Sequence, residues 1–382
     1  MSVRSLFLAA ALLGADMALA ADTAVSEVSA TAATAAALQK ADAAHDNADF
    51  KEAYAIYKTL ADQGNARAET RIGLMYANGE LGKRDMAEAI AHYDKAAAAG
   101  DGYAQYQLGL AFREGTGVEK DTAEAEKWFV QAGKSLHQAA LRQDAEAQYF
   151  LSLLYRNGLG VVKDLQESGR WLQKAAEKGY PSAQVAYGRF LYEENKDTVG
   201  LLAWWEKAAN QGNWSAQVAL ARAYTKGDYG IPKEQTKVDE WYRRLLPALE
   251  KAARQGSIYA QTELGKYYLA AKDVPAASEK AQEWLEKAAT QGSRAAQTIL
   301  GMGYLKGEEG FTANPEKAQE WLEKAAQQGS VIAQSILSIS YLHGDGLPTD
   351  PEKARYWSEK VEKAAAQGDE TARALLRALP AK

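Results

Sequence analysis

Glu283-Trp284-Leu285-Glu286-Lys287-Ala288-Ala289 returns unchanged as Glu320-Trp321-Leu322-Glu323-Lys324-Ala325-Ala326. Weaker copies surround Trp128, Trp171, Trp204, Trp241 and Trp357, and His92 stands in the tryptophan's place once. One alanine can be followed through the same register: Ala68, Ala104, Ala147, Ala183, Ala216, Ala260, Ala296, Ala333 and Ala372, spaced 33 to 44 residues apart. Such a period builds a stack of small units, each burying its apolar edge against the next, in place of one central core.

Outward from that alanine, spacing gives the local structure. Four residues later stands an apolar side chain (Ile72, Leu108, Leu151, Leu264, Leu300), and eight later an aromatic in seven repeats, including Tyr76, Phe112, Tyr155, Tyr224 and Tyr304. Steps of four and eight lie on one stripe of a helix, here called helix A. A glycine five after the alanine (Gly73, Gly109, Gly188, Gly265, Gly301) gives up helix propensity, which predicts close approach of a second helix. Glycine-rich turns follow, such as Gly115-Thr116-Gly117, Gly158-Leu159-Gly160 and Gly344-Asp345-Gly346. Seven residues before the tryptophan comes a capping side chain: Asp85, Asp121, Asp164, Asp197, Asn314 or Asp350, with Pro315 and Pro351 at the first helical position. Helix B then carries the tryptophan, expected in the core at Trp284 and Trp321, and ends at a glycine four before the next anchor in every repeat but one, where Gln143 stands.

The distance from tryptophan to next anchor is usually 12 residues but 19 after Trp128 and after Trp241. Seven extra residues lengthen helix B by about two turns without rotating its apolar face, predicting two long helices that protrude from the array. Pro247 is expected to kink the second. Residues 34–63 read as a degenerate opening hairpin, and 369–382 as a closing helix with a tail. Trp214 lies outside the repeat pattern, as an exposed anchor or a local staple.

Leu-Gly-x-x-Tyr, the Gly-x-Gly turn, the aspartate cap, Lys-Ala-x-x-Trp and Lys-Ala-Ala-x-x-Gly together resemble the Sel-one-like repeat family, a branch of the tetratricopeptide-type helical repeats. Lys317-Ala318 through Gly329 carries almost the full second half of that pattern, and the match runs from about residue 65 to 370. The turns at 192–197 and 269–277 depart from it, the first by shortening and the second by lacking glycines. The resemblance implies an all-α protein, a right-handed superhelical α/α solenoid of antiparallel helix pairs, with repeats over 34–368. Some cysteine-rich members of that family are associated with β-lactam hydrolysis; with no cysteine here, that activity does not carry over.

The first residues read as a cleavable signal peptide over 1–20: Arg4, the apolar run Leu6 to Leu13, and Ala18-Leu19-Ala20 before a mature start at Ala21. Residues 21–33 are an Ala/Ser/Thr-rich leader, expected to be flexible. The apolar run is well short of the roughly 20 residues that span a bilayer, and no other segment reaches that length. Without cysteine, disulfides and thiolate metal sites are excluded. The expected location is therefore periplasmic or secreted. A net charge of −5 argues against nucleic acid.

No catalytic residue, cofactor site or metal site is expected. His45, His92, His137 and His343 share no ligand spacing. The Gly-x-Gly turns join two helices and are followed by acids, unlike a phosphate loop. The reading is of a protein that is not an enzyme but a scaffold or adaptor, holding an acidic, partly apolar segment of another protein. The alternative is a binder of, or enzyme on, cell-wall or exopolysaccharide glycans, with aromatics stacked on sugar rings. Similarity to tetratricopeptide arrays implies that the A helices line a concave groove, and positions two, six and nine after the anchor are expected to face it. Those positions and their borders give the candidate partner-binding residues Tyr106, Arg113, Tyr149, Arg156, Arg189, Tyr192, Arg222, Tyr259 and Lys266. Inter-repeat packing and pairing of Arg113 or Arg156 with Glu114, Glu146 or other acids is the competing role for this stripe.

Overall fold

The computed structural model describes residues 32–271, 277–308 and 310–378. The expected signal peptide, almost all of the expected leader, the 379–382 tail and half of the atypical 269–277 turn lie outside the described residues. Within them the chain is helical throughout and contains no strand. An opening pair, α1 (32–46) and α2 (Phe50–Asp62), precedes eight A/B pairs. These are α3 (Ala66–Ala77) with α4 (Met86–Ala98), α5 (Gly102–Glu114) with α6 (Thr122–Leu141), α7 (Ala145–Asn157) with α8 (Leu165–Glu177), and α9 (Pro181–Asn195) with α10 (Thr198–Asn210). Then come α11 (Trp214–Lys226) with α12 (Gln235–Arg254), α13 (Ile258–Ala270) with α14 (Ala277–Thr290), α15 (Arg294–Lys306) with α16 (Pro315–Gln327), and α17 (Val331–His343) with α18 (Pro351–Ala366), closed by α19 (Glu370–Ala378).

The small residue inside helix A is one half of a lock. A Cβ on Gly301 would stand 2.5 Å from Leu322 Cγ, one on Gly265 2.5 Å from Leu285 Cγ, one on Gly109 2.6 Å from Phe129 Cε1, and one on Gly73 2.5 Å from Tyr93 Cε1. Each partner is the residue after the tryptophan position, and each is buried. In these repeats the core position of helix B is therefore one residue later than expected, whereas Trp171, Trp241 and Trp357 are themselves buried. Trp284 and Trp321 are only half-buried, with Lys287 and Lys324 over their rings at 4.4 and 4.6 Å. In α10 the slot is filled by Trp205, whose indole Nε1 donates to the Val185 carbonyl at 2.9 Å, not by Trp204. The lysine of Lys-Ala-x-x-Trp packs on an aromatic as well. Lys280, Lys317 and Lys353 lie over the rings of Tyr268, Tyr304 and Tyr341.

The capping side chains act as read. Asp85, Asp121, Asp164, Asp197, Asn314 and Asp350 accept hydrogen bonds from the first turn of their helices. A second cap escaped the sequence reading. The glutamine after the anchor alanine donates its Nε2 to a carbonyl eight residues back, at the end of the preceding helix B: Gln217 to Ala209 at 3.0 Å, Gln261 to Ala253 at 3.0 Å, Gln297 to Ala289 at 2.9 Å, Gln334 to Ala326 at 2.9 Å. This satisfies carbonyls that the helix end leaves without an intrahelical partner. The glycine closing helix B sits at positive φ throughout, and Gln143 adopts the same left-handed conformation at φ 67°.

Two helices, α6 and α12, have 20 residues where 13 is the rule. They do not protrude as expected. The inserted heptad keeps the apolar phase, so Leu136, Leu245 and Leu249 are buried. α12 runs on through Pro247, which lies on its exposed side.

Successive A helices touch (α5 with α7, α9 with α11, α13 with α15, α15 with α17), while among the described residues no two successive B helices meet to that extent. The A helices therefore form the tighter, inner side. The curvature brings the start of the array back onto its later repeats. One core cluster joins Ala41, Phe50, Tyr57 and Ile72 to Val218, Leu249, Leu264 and Ala281, and Trp214 packs on it as a local staple. Across this seam the Ile258 amide donates to the Asn78 carbonyl at 3.0 Å, Lys251 to the Asn47 carbonyl at 3.0 Å, and Gln255 to the Ala48 carbonyl at 2.7 Å. A Cβ on Gly256 would stand 2.5 Å from the Gly79 carbonyl oxygen, so the seam tolerates no side chain there.

Candidate partner-binding face

The inner face is built from side chains one before, three after and six after the anchor alanine. At about 100° per residue these positions fall on one stripe. The expected stripe at two, six and nine is rotated from it by part of a turn, and shares only the sixth position.

At the early end the inner face is filled by its own charges. Arg67 and Arg71 reach from α3 past α5 to Glu146 on α7, at 2.6 and 2.8 Å. Arg67 also meets Asp144 at 3.1 Å, and Arg71 meets Asp42 of α1 at 3.2 Å. Tyr57 donates to Asp42 at 2.5 Å and Tyr180 to Glu146 at 3.2 Å. Burial alone would raise the Glu146 pKa, but the two guanidiniums hold it down at about 2. Beside this cluster, His45 meets the buried Glu80 at 2.8 Å. Burial disfavours its charge, yet Asp46 and Glu80 bring its pKa up to about 9. Glu146, expected as a counter-charge for Arg113 or Arg156, serves Arg67 and Arg71.

The nine candidates separate accordingly. Tyr106 is buried between repeats, with its ring 5.4 Å from Phe150 and 6.0 Å from Phe129. Tyr149 packs on Phe150 and Tyr180, and burial raises its pKa. Arg113 pairs with Glu114 at 3.1 Å and Arg156 with Glu193 at 2.7 Å. Tyr192 is covered edge-on by Tyr229, with Lys196 5.1 Å from its ring centroid. Lys266 and Arg222 share Glu263, at 2.7 and 3.4 Å. Arg189 is exposed and makes no ion pair among the described residues. Tyr259 is 40% exposed. The structure thus leaves Arg189, Arg222 and Tyr259 open to solvent on three successive A helices, α9, α11 and α13. It draws Tyr106, Tyr149 and Tyr192 into packing.

The sequence reading missed Arg67, Arg71, Asp42 and Tyr180. Arg67, Tyr103, Glu146 and Tyr259 all directly precede an anchor alanine, and that periodicity was available. What was not available is how far Arg67 and Arg71 reach, because that follows from curvature. Among the described residues no group of three or more His, Cys, Asp or Glu could hold a metal ion. No described helix is long and apolar enough to cross a membrane.

Helix pairs locked by glycine, an inner face of A helices and eight recurring units define a helical repeat protein. The Sel1 repeat model matches residues 66–101, 102–135, 145–180, 202–213, 214–244, 258–293, 294–330 and 331–369, and the chain belongs to that family. Sel1 repeat proteins are generally protein-interaction scaffolds and typically non-catalytic. Among solved structures, the chain is similar to a protective antigen of uropathogenic Escherichia coli with an SLR fold, at 30% identity over 86% of this chain and 76% of the other, TM-score 0.46. It is also similar to a Sel1 repeat protein from Oxalobacter formigenes, at 32% identity over 85% and 89%, TM-score 0.41. An immunity protein from Pseudomonas aeruginosa matches at 21% identity over 61% and 82%, TM-score 0.39. Comparison with curated proteins finds no match.

Proposed function

We propose that the inner face of α9, α11 and α13 holds an acidic, partly apolar segment of a partner protein, and that the chain works as a non-enzymatic adaptor in the bacterial envelope. The observation that carries the reading is the exposure of Arg189, Arg222 and Tyr259 on three consecutive A helices. Arg222 and Lys266 share one carboxylate, Glu263, and Arg189 makes no ion pair among the described residues, so this stretch keeps an excess of positive charge within an acidic protein. Arginine and tyrosine are also the residue types that dominate binding energy at interfaces. Export rests on the Arg4, Leu6 to Leu13 and Ala18-Leu19-Ala20 pattern; mass spectrometry of the cell-derived chain is expected to give Ala21 as its first residue.

The test places a photo-crosslinker at Tyr259 in cells and compares the parent with Arg189→Glu/Arg222→Glu. A defined protein adduct is expected in the parent and lost in the double variant. Arg189 is exposed and makes no ion pair among the described residues, so its reversal should move stability by no more than roughly 0.5 kcal/mol. Arg222→Glu sets a second carboxylate beside the buried Glu263 and should cost more. An adduct that survives charge reversal in the folded variant refutes the groove, as does a large fall in Tm for Arg189→Glu alone. Capture by peptidoglycan instead would favour the glycan-binding alternative.

A further inference from the structure

The seam that closes the array also encloses a cleft of about 770 Å³, away from the inner face. Lys83 and Arg84, from the α3–α4 turn, line it together with Gln291 and Gly292 of the α14–α15 turn and Arg294, the first residue of α15. Its charges do not balance. Glu114 is the carboxylate on its wall, and Arg113 engages it at 3.1 Å. Lys83, Arg84 and Arg294 make no ion pair among the described residues; Arg294 Nη1 donates to the Gln328 carbonyl at 3.0 Å. Arg84 is partly buried, its Nε is enclosed without a hydrogen-bond partner, and burial lowers its pKa.

Elsewhere this molecule matches its sequestered charges: Arg67 and Arg71 with Glu146, and His45 with Glu80. A guanidinium withdrawn from water without a counter-charge is costly, and a bound anion removes that cost. The N-terminus of α15, at Gly292 and Arg294, opens on the same cleft and adds the positive end of a helix dipole.

We propose that this cleft binds an anionic ligand carrying more than one carboxylate or phosphate group, and that the ligand ties the first repeat to the α14–α15 turn. Guanidinium forks suit both anions. The spread of cations over two turns favours a polyanion over a single ion.

Calorimetric titration of the full chain, in low-salt buffer free of phosphate and sulfate, uses two probes: inorganic pyrophosphate and a triglutamate peptide. Saturable one-to-one binding is expected for at least one. Pyrophosphate alone assigns phosphate, and triglutamate alone assigns carboxylate. Arg84→Gln and Arg294→Gln should each weaken binding about tenfold or more. If Arg84→Gln fails to fold, as judged by circular dichroism, Arg294→Gln and the exposed Lys83→Gln carry the test. Failure of both probes to bind overturns the proposal, as does undiminished binding in the folded variants. The cleft shares no residue with the partner-binding candidates, so either result leaves the groove reading standing or falling on its own crosslinking experiment.

Discussion

Replacing Glu146 by glutamine keeps the side chain's shape and removes the charge that Arg67 and Arg71 share. Burial acts to raise the Glu146 pKa; the guanidiniums reverse this and bring it from the ordinary 4.5 to about 2. That depression is worth about 3 kcal/mol in the folded state. Because the folded pKa is the lower one, that stabilisation is complete above about pH 4.5 and is lost as pH falls toward 2. Glu146→Gln also leaves Arg67 with Asp144 and Arg71 with Asp42 as their remaining counter-charges, so the penalty sits at the low end of the roughly 3–5 kcal/mol that breaking a buried pair costs. The expected loss at pH 7 therefore lies in that range. Urea unfolding followed by circular dichroism measures it, and hydrogen exchange of the α3 and α7 amides locates it, since arrays can open in parts. At pH 3 the gap between wild type and variant should shrink to less than half. A variant within roughly 0.5 kcal/mol of wild type at pH 7, or a gap that ignores pH, would refute the coupling of these charges.

Gln143→Gly should stabilise the chain by about 1 kcal/mol, because a side chain at φ 67° is strained and the equivalent residue in the other repeats is glycine; a lower urea midpoint would count against this. Gly301→Ala should destabilise by about 1–3 kcal/mol despite its better helix propensity, since its methyl meets Leu322 at 2.5 Å; a gain in Tm would show the slot to be loose. The raised pKa of His45 gives stability that is full below about pH 6.5 and lost as pH rises through about 9. His45→Gln should flatten that alkaline limb in a pH series of thermal melts, and an unchanged profile would exclude the His45–Glu80 pair as its source.

Much of this architecture could be read from residues alone because a repeat states the same contacts many times over. Gly265 and Gly301 announced a close neighbour, and Leu285 and Leu322 supply it. At Trp284 and Trp321 the tryptophan misled because the leucine one residue later fills the slot, and the ring lies on the flank, covered by a lysine one turn on; Trp171, Trp241 and Trp357 are themselves buried. The candidate face was only partly legible. Arg189, Arg222 and Tyr259 stand open to solvent, but Tyr106 and Tyr192 went into packing. The Arg67–Glu146 and Lys251–Asn47 contacts depend on the small rotation from each pair to the next, accumulated over several pairs. No local spacing encodes that sum, so neither the charge cluster nor the seam was foreseeable.

The seam also limits how such a chain can change length. An open solenoid can gain or lose a unit by duplication or deletion, with only its two neighbours affected. Here, one unit added anywhere between α5 and α11 would carry Lys251, Gln255 and Ile258 past Asn47, Ala48 and Asn78, with which they now bond. The number of units between those points is fixed by geometry, and recombination that shuffles them is confined to the far end, beyond α16.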